Sequence, residues 1–210
     1  MRVLAIGHHN ALGDLYLRLM ARGHEVRVFI ADSEAYDILE GLIVRTVDWW
    51  DDLDWVRTAP DLGFILFEST GFGAVQDELR REGFRVFGGS AFGDRLELER
   101  SFGQQVAAEL GMRTAETFAF DSFERGLTFL DERPGRYVLK FDGEGLAKSR
   151  NYVGALDDGE DMRAMLRMQA SQWGLPQKPC YVLMQHLSGV EVGVGGFFDG
   201  THFLHPVNLD

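Results

Sequence analysis

The chain contains a single cysteine, Cys180, in 210 residues. One thiol excludes an intrachain disulfide and suits a reducing compartment. Basic charge is scarce as well. Twenty-one lysines and arginines stand against 33 aspartates and glutamates, a formal net charge of -12. That balance argues against a nucleic-acid backbone or an anionic membrane as the main partner, while leaving room for a local basic pocket that takes a small phosphate ligand. No apolar run approaches membrane-spanning length, and Met1-Arg2 leads straight into a strand-like run with no secretory leader pattern. The expectation is a cytoplasmic protein. Several chemical signatures are missing too. There is no Cys/His set with metal-ligand spacing, no G-x-S-x-G and no G-x-G-x-x-G. His8 and His9 are adjacent, so on a strand they would face opposite sides, poor geometry for one metal. Ser69 in "ESTGFG" and Ser90 in "GGSAFG" lie in glycine-rich loops without the nucleophile pattern, and Cys180 follows Pro179 at the head of an apolar strand. A covalent hydrolase is disfavoured.

What is present is an α/β rhythm. The composition, 45% hydrophobic and 26% charged, is that of an ordinary globular protein. "RVLAI" reads as a strand, "GHHNALGD" as a glycine-bounded loop, "LYLRLMARG" as a helix ending at Gly23, and "EVRVFI" as a second strand. This βαβ unit implies parallel neighbours. A strand at 62–67, a helix through "AVQDELRREG" and a strand at "RVFGG" extend it. Residues 1–92 are thus expected to form an open, Rossmann-like parallel-sheet domain, with the acidic "VDWWDDLDW" as a partly buried loop or edge. From residue 93 to 210 the texture changes. "RLELERSFGQQVAAEL" predicts one long helix stopped by Gly111, and "DSFERGLTFLDE" a helix with Asp121 and Glu124 at capping-box spacing. "GRYVLKF" and "RNYVG" predict antiparallel strands around a polar loop, and "VEVGVGGFF", "DG" and "THFLHPVNL" a closing hairpin. A two-stranded hairpin is marginal by itself, and the chain stops inside an apolar run. Both features predict the N-terminal portion of a longer protein.

Two stretches carry candidate chemistry. In "GHHNALGD" a loop between strand and helix can offer backbone amides to a phosphate, but its glycines, Gly7 and Gly13, lack dinucleotide spacing, and Asp32 after the second strand is a lone acid. A structural turn is the preferred reading; a nicotinamide-dependent oxidoreductase on this unit is the disfavoured alternative. In "VLKFDGEGLAKSRNYVG", Lys140 ends a strand and Lys148 lies beyond Gly143 and Gly145. Across a hairpin, both ammonium groups can reach one polyanion. "LMQHLSGVEV" then supplies a post-strand segment whose backbone can meet an adenine edge, followed by Gly189 and an acid, Glu191, suited to ribose hydroxyls.

In their order, an α/β domain, a helix opening with a basic residue, "VLKFDG", a glycine/lysine loop and "MQHLSGVEV", these segments resemble the ATP-grasp carboxylate–amine ligases, closest to the glycinamide ribonucleotide synthetases. The resemblance spans the chain and is strongest from about Phe87 onward. It implies a pre-ATP-grasp domain over 1–92, then over 93–210 the first ATP-grasp subdomain and the beginning of a second, with the fold incomplete. It implies ATP with Mg2+, whose ligands would lie beyond Asp210, small-molecule carboxylate and amine substrates, no catalytic base in this portion, and no nucleic-acid or membrane partner. Lys140 would hold the α-phosphate, and Lys148 the terminal phosphates with amides around Gly145 to Ser149. Gln185, His186 and Leu187 would read adenine, Glu191 would bind the ribose, and "GHHNALGD" would help bind the amine. Arg100 stands where the family commonly has a lysine, which keeps the charge but not its point-like geometry. Ala147 and Ser149 flank Lys148 where the family is richer in glycine, and Met184 replaces a frequent glutamate. The alternative reading is a nucleotide-binding or regulatory module without ligase turnover.

Overall fold

The computed structural model describes residues 1–141, 150–174, 178–205 and 208–209. The chain divides into two compact units, Met1–Met112 and Arg113–Asp210.

The first unit is built on a five-stranded parallel sheet: β1 (Arg2–Gly7), β2 (Glu25–Ile30), β3 (Val44–Arg45), β4 (Gly63–Phe67) and β5 (Val86–Phe87), in the order β3-β2-β1-β4-β5. β1 is apolar on both sides, as a central parallel strand must be. Val3 and Ala5 join Tyr16 of α1 (Gly13–Ala21) in one core. Leu4 and Ile6 join Val56 of α2 (Leu53–Arg57) and Leu79 of α3 (Gly73–Arg81) in the other. The tryptophan-rich stretch is not an edge loop. It forms a 3-10 turn, Trp49–Asp52, that leads into α2, and Trp49 enters the second core. Arg27 pairs with Asp52 and lies 4.2 Å over the Trp55 ring, so the acidic run is tied to β2.

The single long helix expected after β5 is broken. α4 (Ala91–Leu98) and α5 (Arg100–Glu109) meet at Glu99, whose backbone (φ -104°, ψ 88°) is non-helical. Contacts across the break outweigh helix propensity: Phe102 takes the edge of Phe92, and Arg95 sits 3.7 Å over its ring. Both helices go with the first unit because the start of α4 is stitched to α3. Asp94 accepts from the Gly71 and Gly73 amides (3.0 and 2.5 Å), and Asp77 accepts from Ala91 (2.9 Å).

The second unit carries a four-stranded antiparallel sheet, β6 (Thr117–Phe120), β7 (Tyr137–Phe141), β8 (Tyr152–Val153) and β9 (Tyr181–Gln185), in the order β6-β9-β7-β8. The expected hairpin strands on either side of the lysine loop are antiparallel neighbours, Val138 opposite Val153. Helices α6 (Phe123–Glu132) and α7 (Glu160–Gln172) cover one face of the sheet. Phe123, Leu130, Met162 and Leu166 pack there on Tyr137, Leu139, Phe141, Tyr181 and Leu183. The cap of α6 is Ser122 rather than Asp121. The Ser122 hydroxyl accepts from the Arg125 amide and donates to Glu124, while Asp121 pairs with Arg125. A serine one residue nearer the first turn reaches the amide that Asp121 cannot. The closing hairpin is present. β10 (Val194–Gly195) pairs with β11 (Asn208–Leu209), Phe198 bridges Phe203, and Asp199 accepts from the Thr201 and His202 amides.

The core of this unit is intolerant at one point. A Cβ on Gly126 would overlap the Tyr181 hydroxyl, which donates to the Ser122 carbonyl at 3.0 Å. Gly126→Ala should therefore lower stability by about 1–3 kcal/mol in urea denaturation, and the loss should shrink in a Tyr181→Phe background. Equal losses in both backgrounds would show that the clash does not set the cost. Asp161 joins β8 to α7, accepting from the Ala155, Leu156 and Met162 amides and from the Tyr152 hydroxyl. Burial pushes its pKa up, but these bonds outweigh that and hold it below the ordinary carboxylate value. Its contribution is present above the unfolded-state pKa and is lost as pH falls through the lowered folded value. Asp161→Asn should thus cost about 1 kcal/mol near neutral pH, a figure kept small by solvent access. The gap to wild type should close below about pH 4; a pH-independent gap would contradict the assignment.

Candidate functional site

Because side chains alternate along a strand, the residues between those of the core stand on the face of the second sheet that α6 and α7 leave uncovered. The pairing registers set them in two rows. Thr117, Met184, Val138 and Val153 form one row across all four strands. Ala119, Val182 and Lys140 form the next. Directly opposed side chains in such rows lie within contact reach of one another. The face is apolar, with the half-buried Val138 and Met184 and the half-buried Lys140 accessible on it and Val182 fully buried between them. A surface of this kind suits a ligand with a flat, apolar body and an anionic tail.

β9 carries this face into the segment that follows it. The Gln185 amide donates to the Glu116 carbonyl (2.8 Å) and the His186 amide to the Arg136 carbonyl (3.0 Å). Both amides are spent on holding the end of the sheet. Leu187, exposed and one residue beyond, has no backbone hydrogen bond among the described residues. It offers the first free main-chain donor next to this face. Glu191 is exposed farther along the same loop.

Of the residues singled out by sequence, Lys140 and the Gln185–Leu187 segment are carried by the paired β7 and β9 but toward opposite ends, with Gln185 opposite Tyr137 and Lys140 opposite Val182 three residues along. Arg100 belongs to the first unit. It opens α5 and lines a groove there with Leu96, Gln104, Leu110 and Met112. Gly143, Gly145, Lys148 and Ser149 lie outside the described residues. The flanks of that loop are tied down: the Phe141 amide donates to Asn151 (3.2 Å), and Arg150 lies 5.1 Å over the Trp173 ring. Val138, Val182 and Met184 escaped sequence reasoning. The signal was available in "YVLKF" and "YVLMQ", where apolar residues occupy both parities of a strand packed by helices on only one side.

In the first unit, "GHHNALGD" connects β1 to α1, and its two histidines lie past the strand end with ring centroids 6.1 Å apart. The His8 amide donates to the Ser69 hydroxyl (3.1 Å) and its ring lies near the Thr70 carbonyl, while His9 pairs with Asp32 at 3.3 Å. Among the described residues, no group of three or more His, Cys, Asp or Glu side chains could hold a metal ion. No helix among them is long and apolar enough to cross a membrane.

No family model matches the chain. Curated relatives do. A phosphoribosylamine–glycine ligase of Lactococcus lactis is 24% identical over 215 residues, all of this chain and 50% of that protein. Among solved structures, phosphoribosylamine–glycine ligase from Thermotoga maritima superposes with a TM-score of 0.67 at 18% identity, covering 97% of this chain and 48% of its own. An N5-carboxyaminoimidazole ribonucleotide synthetase in complex with ADP follows at 0.62 and 15%, covering 99% and 52%. The chain spans about half the length of the relatives it matches. Sequence and fold agree in what they resemble: the chain is similar along its whole length to phosphoribosylamine–glycine ligases and shares its fold with the two solved structures above.

Proposed function

We propose that the protein carrying this chain is an ATP-dependent carboxylate–amine ligase acting through an acylphosphate. The observation that carries the reading is the paired β7 and β9, along which the accessible Val138 and Met184 lie between Lys140 and the Leu187 amide. The adenine ring lies against Val138 and Met184, its edge read by main-chain groups of Gln185 to Leu187, with the Leu187 amide as donor. Lys140 neutralises the α-phosphate, and Glu191 accepts from the ribose hydroxyls. Lys148 and the amides around Gly145 to Ser149 take the terminal phosphates. ADP bound to a protein of similar fold supports the nucleotide assignment.

In the chemistry that follows, a carboxylate oxygen bonds to the γ-phosphorus as its bond to ADP breaks. The amine lone pair then attacks the acyl carbon, inorganic phosphate leaves, and the nitrogen gives up a proton. The chain's contribution is positioning and electrostatic clamping rather than a nucleophile of its own. Mg2+ is the expected companion of ATP, but the described residues offer it no cage. The substrates are small molecules, a carboxylate and an amine. A second reading, a nucleotide-binding or regulatory module, is favoured by Ala147 and Ser149 beside Lys148, where added Cβ atoms restrict a loop that must wrap phosphates.

Lys140→Ala and Glu191→Ala in the full-length protein should each weaken ATP binding about tenfold or more, measured by calorimetry, since each removes a charge-assisted hydrogen bond. Unchanged affinity in both would overturn the site. ADP release dependent on both a carboxylate and an amine is the expected activity. ATP binding without such release, whichever donors are offered, would instead establish the regulatory module.

A further inference from the structure

Beside β3 the first unit exposes apolar side chains that its two cores do not use. β3 is an edge strand of the parallel sheet, paired with β2 on one side and with no strand on the other among the described residues. Val44 on it is 57% exposed, Val47 just after it 84%, and Trp50 in the 3-10 turn that follows 50%. Apolar groups exposed in company mark interaction surfaces, whereas single ones do not. Trp50 is held ready for contact. One face of its indole stacks on the buried Trp49, with ring centroids 4.0 Å apart. Its amide donates to the Asp48 carboxylate at 3.0 Å, and the Thr46 hydroxyl donates to the Asp48 carbonyl at 3.0 Å. The Arg27–Asp52 pair ties the same turn to β2. Little conformational entropy is left to lose when a partner arrives.

The charge around these groups selects the partner. Residues 33–56 carry seven acids and one base, Arg45. That base is turned inward: it donates to the Ile38 carbonyl, and its Nε and Nη1 are buried. Glu34, Asp37, Glu40, Asp51 and Asp54 are exposed, and their carboxylates have no hydrogen bond or ion pair among the described residues. A second copy of this surface, a nucleic acid or an anionic membrane would each bring like charge to it and be repelled. β3 is two residues long, so main-chain pairing contributes little and side chains must carry recognition. Surplus acid beside a bare indole face calls for arginine, whose guanidinium stacks on an aromatic ring and pairs with a carboxylate at once. The unit already makes this contact internally, where Arg27 lies 4.2 Å over Trp55 while paired with Asp52. We propose that the surface beside β3 docks an arginine-bearing segment of a partner protein, with a guanidinium on Trp50 paired to Asp51 and apolar side chains on Val44 and Val47.

The test offers full-length, 15N-labelled protein the peptide acetyl-Arg-Val-Arg-Val-Arg-Val-amide, with lysine in place of arginine as the charge-matched control. Wild type should bind the arginine peptide saturably, shifting the Trp50 indole N–H, and about threefold more tightly than the lysine peptide. By calorimetry, Trp50→Ala should weaken the arginine peptide about fivefold and Asp51→Asn about threefold. Asp51 has no side-chain partner to lose, so should Trp50→Ala fail to fold, Asp51→Asn and the indole shift still decide the matter. No saturable indole shift, equal affinities for the two peptides, or folded variants that bind as well as wild type would overturn the proposal. A Trp50 indole already protected from solvent exchange in the free protein would overturn it too, because another part of the same chain would then cover the surface. So would dimerisation in sedimentation velocity that Trp50→Ala abolishes.

Discussion

Burying Leu139 and Phe141 beneath α6 and α7 obliges Lys140 to stand on the opposite face, because successive side chains of a strand cannot share one. The β7–β9 pairing turns that constraint into a site. It places Val182 beside Lys140 and Met184 beside Val138, and it brings Gln185 to the edge of the sheet, where the chain leaves as His186 and Leu187. The helical side supplies the stability: Tyr181, Leu183, Leu139 and Leu166 are all fully buried there. The other side is apolar, with Lys140 as the cation on it among the described residues. A slip of one residue in β7 would send Lys140 into the core and leave this face without its cation.

The two units handle negative charge in opposite ways. The second presents a lysine to it. The first has already answered its own helix N-terminus with Glu68, which also ties β4 to the β1–α1 loop through Ala11 and Leu12. Relatives named for a phosphoribosyl substrate share the chain's fold and about a quarter of its residues.

Much of this was readable from local pattern. β1, β2 and β4 announce themselves as apolar runs bounded by turn residues, and the hairpin strands around the lysine loop follow from their spacing. Lys140 and the Gln185–Leu187 segment stood out as polar residues at or just past the ends of short apolar strand runs. Features set by distant partners were not. The break at Glu99 depends on Phe102 meeting Phe92 and Arg95, which helix periodicity does not register. β3 is two residues long and exists through its pairing with β2. Glu68 reads as the polar end of a strand until folding brings it to Tyr16, and no spacing between the two carries that information.

The most direct measurement of the central claim is the map of backbone amide shifts as ATP is added to the protein. The account predicts saturable changes at Val138, Lys140, Val182, Met184 and Leu187, with the α6 and α7 side of the sheet unaffected. Saturable changes confined to the His8–Glu68 crevice, or no saturable changes at all, would contradict it.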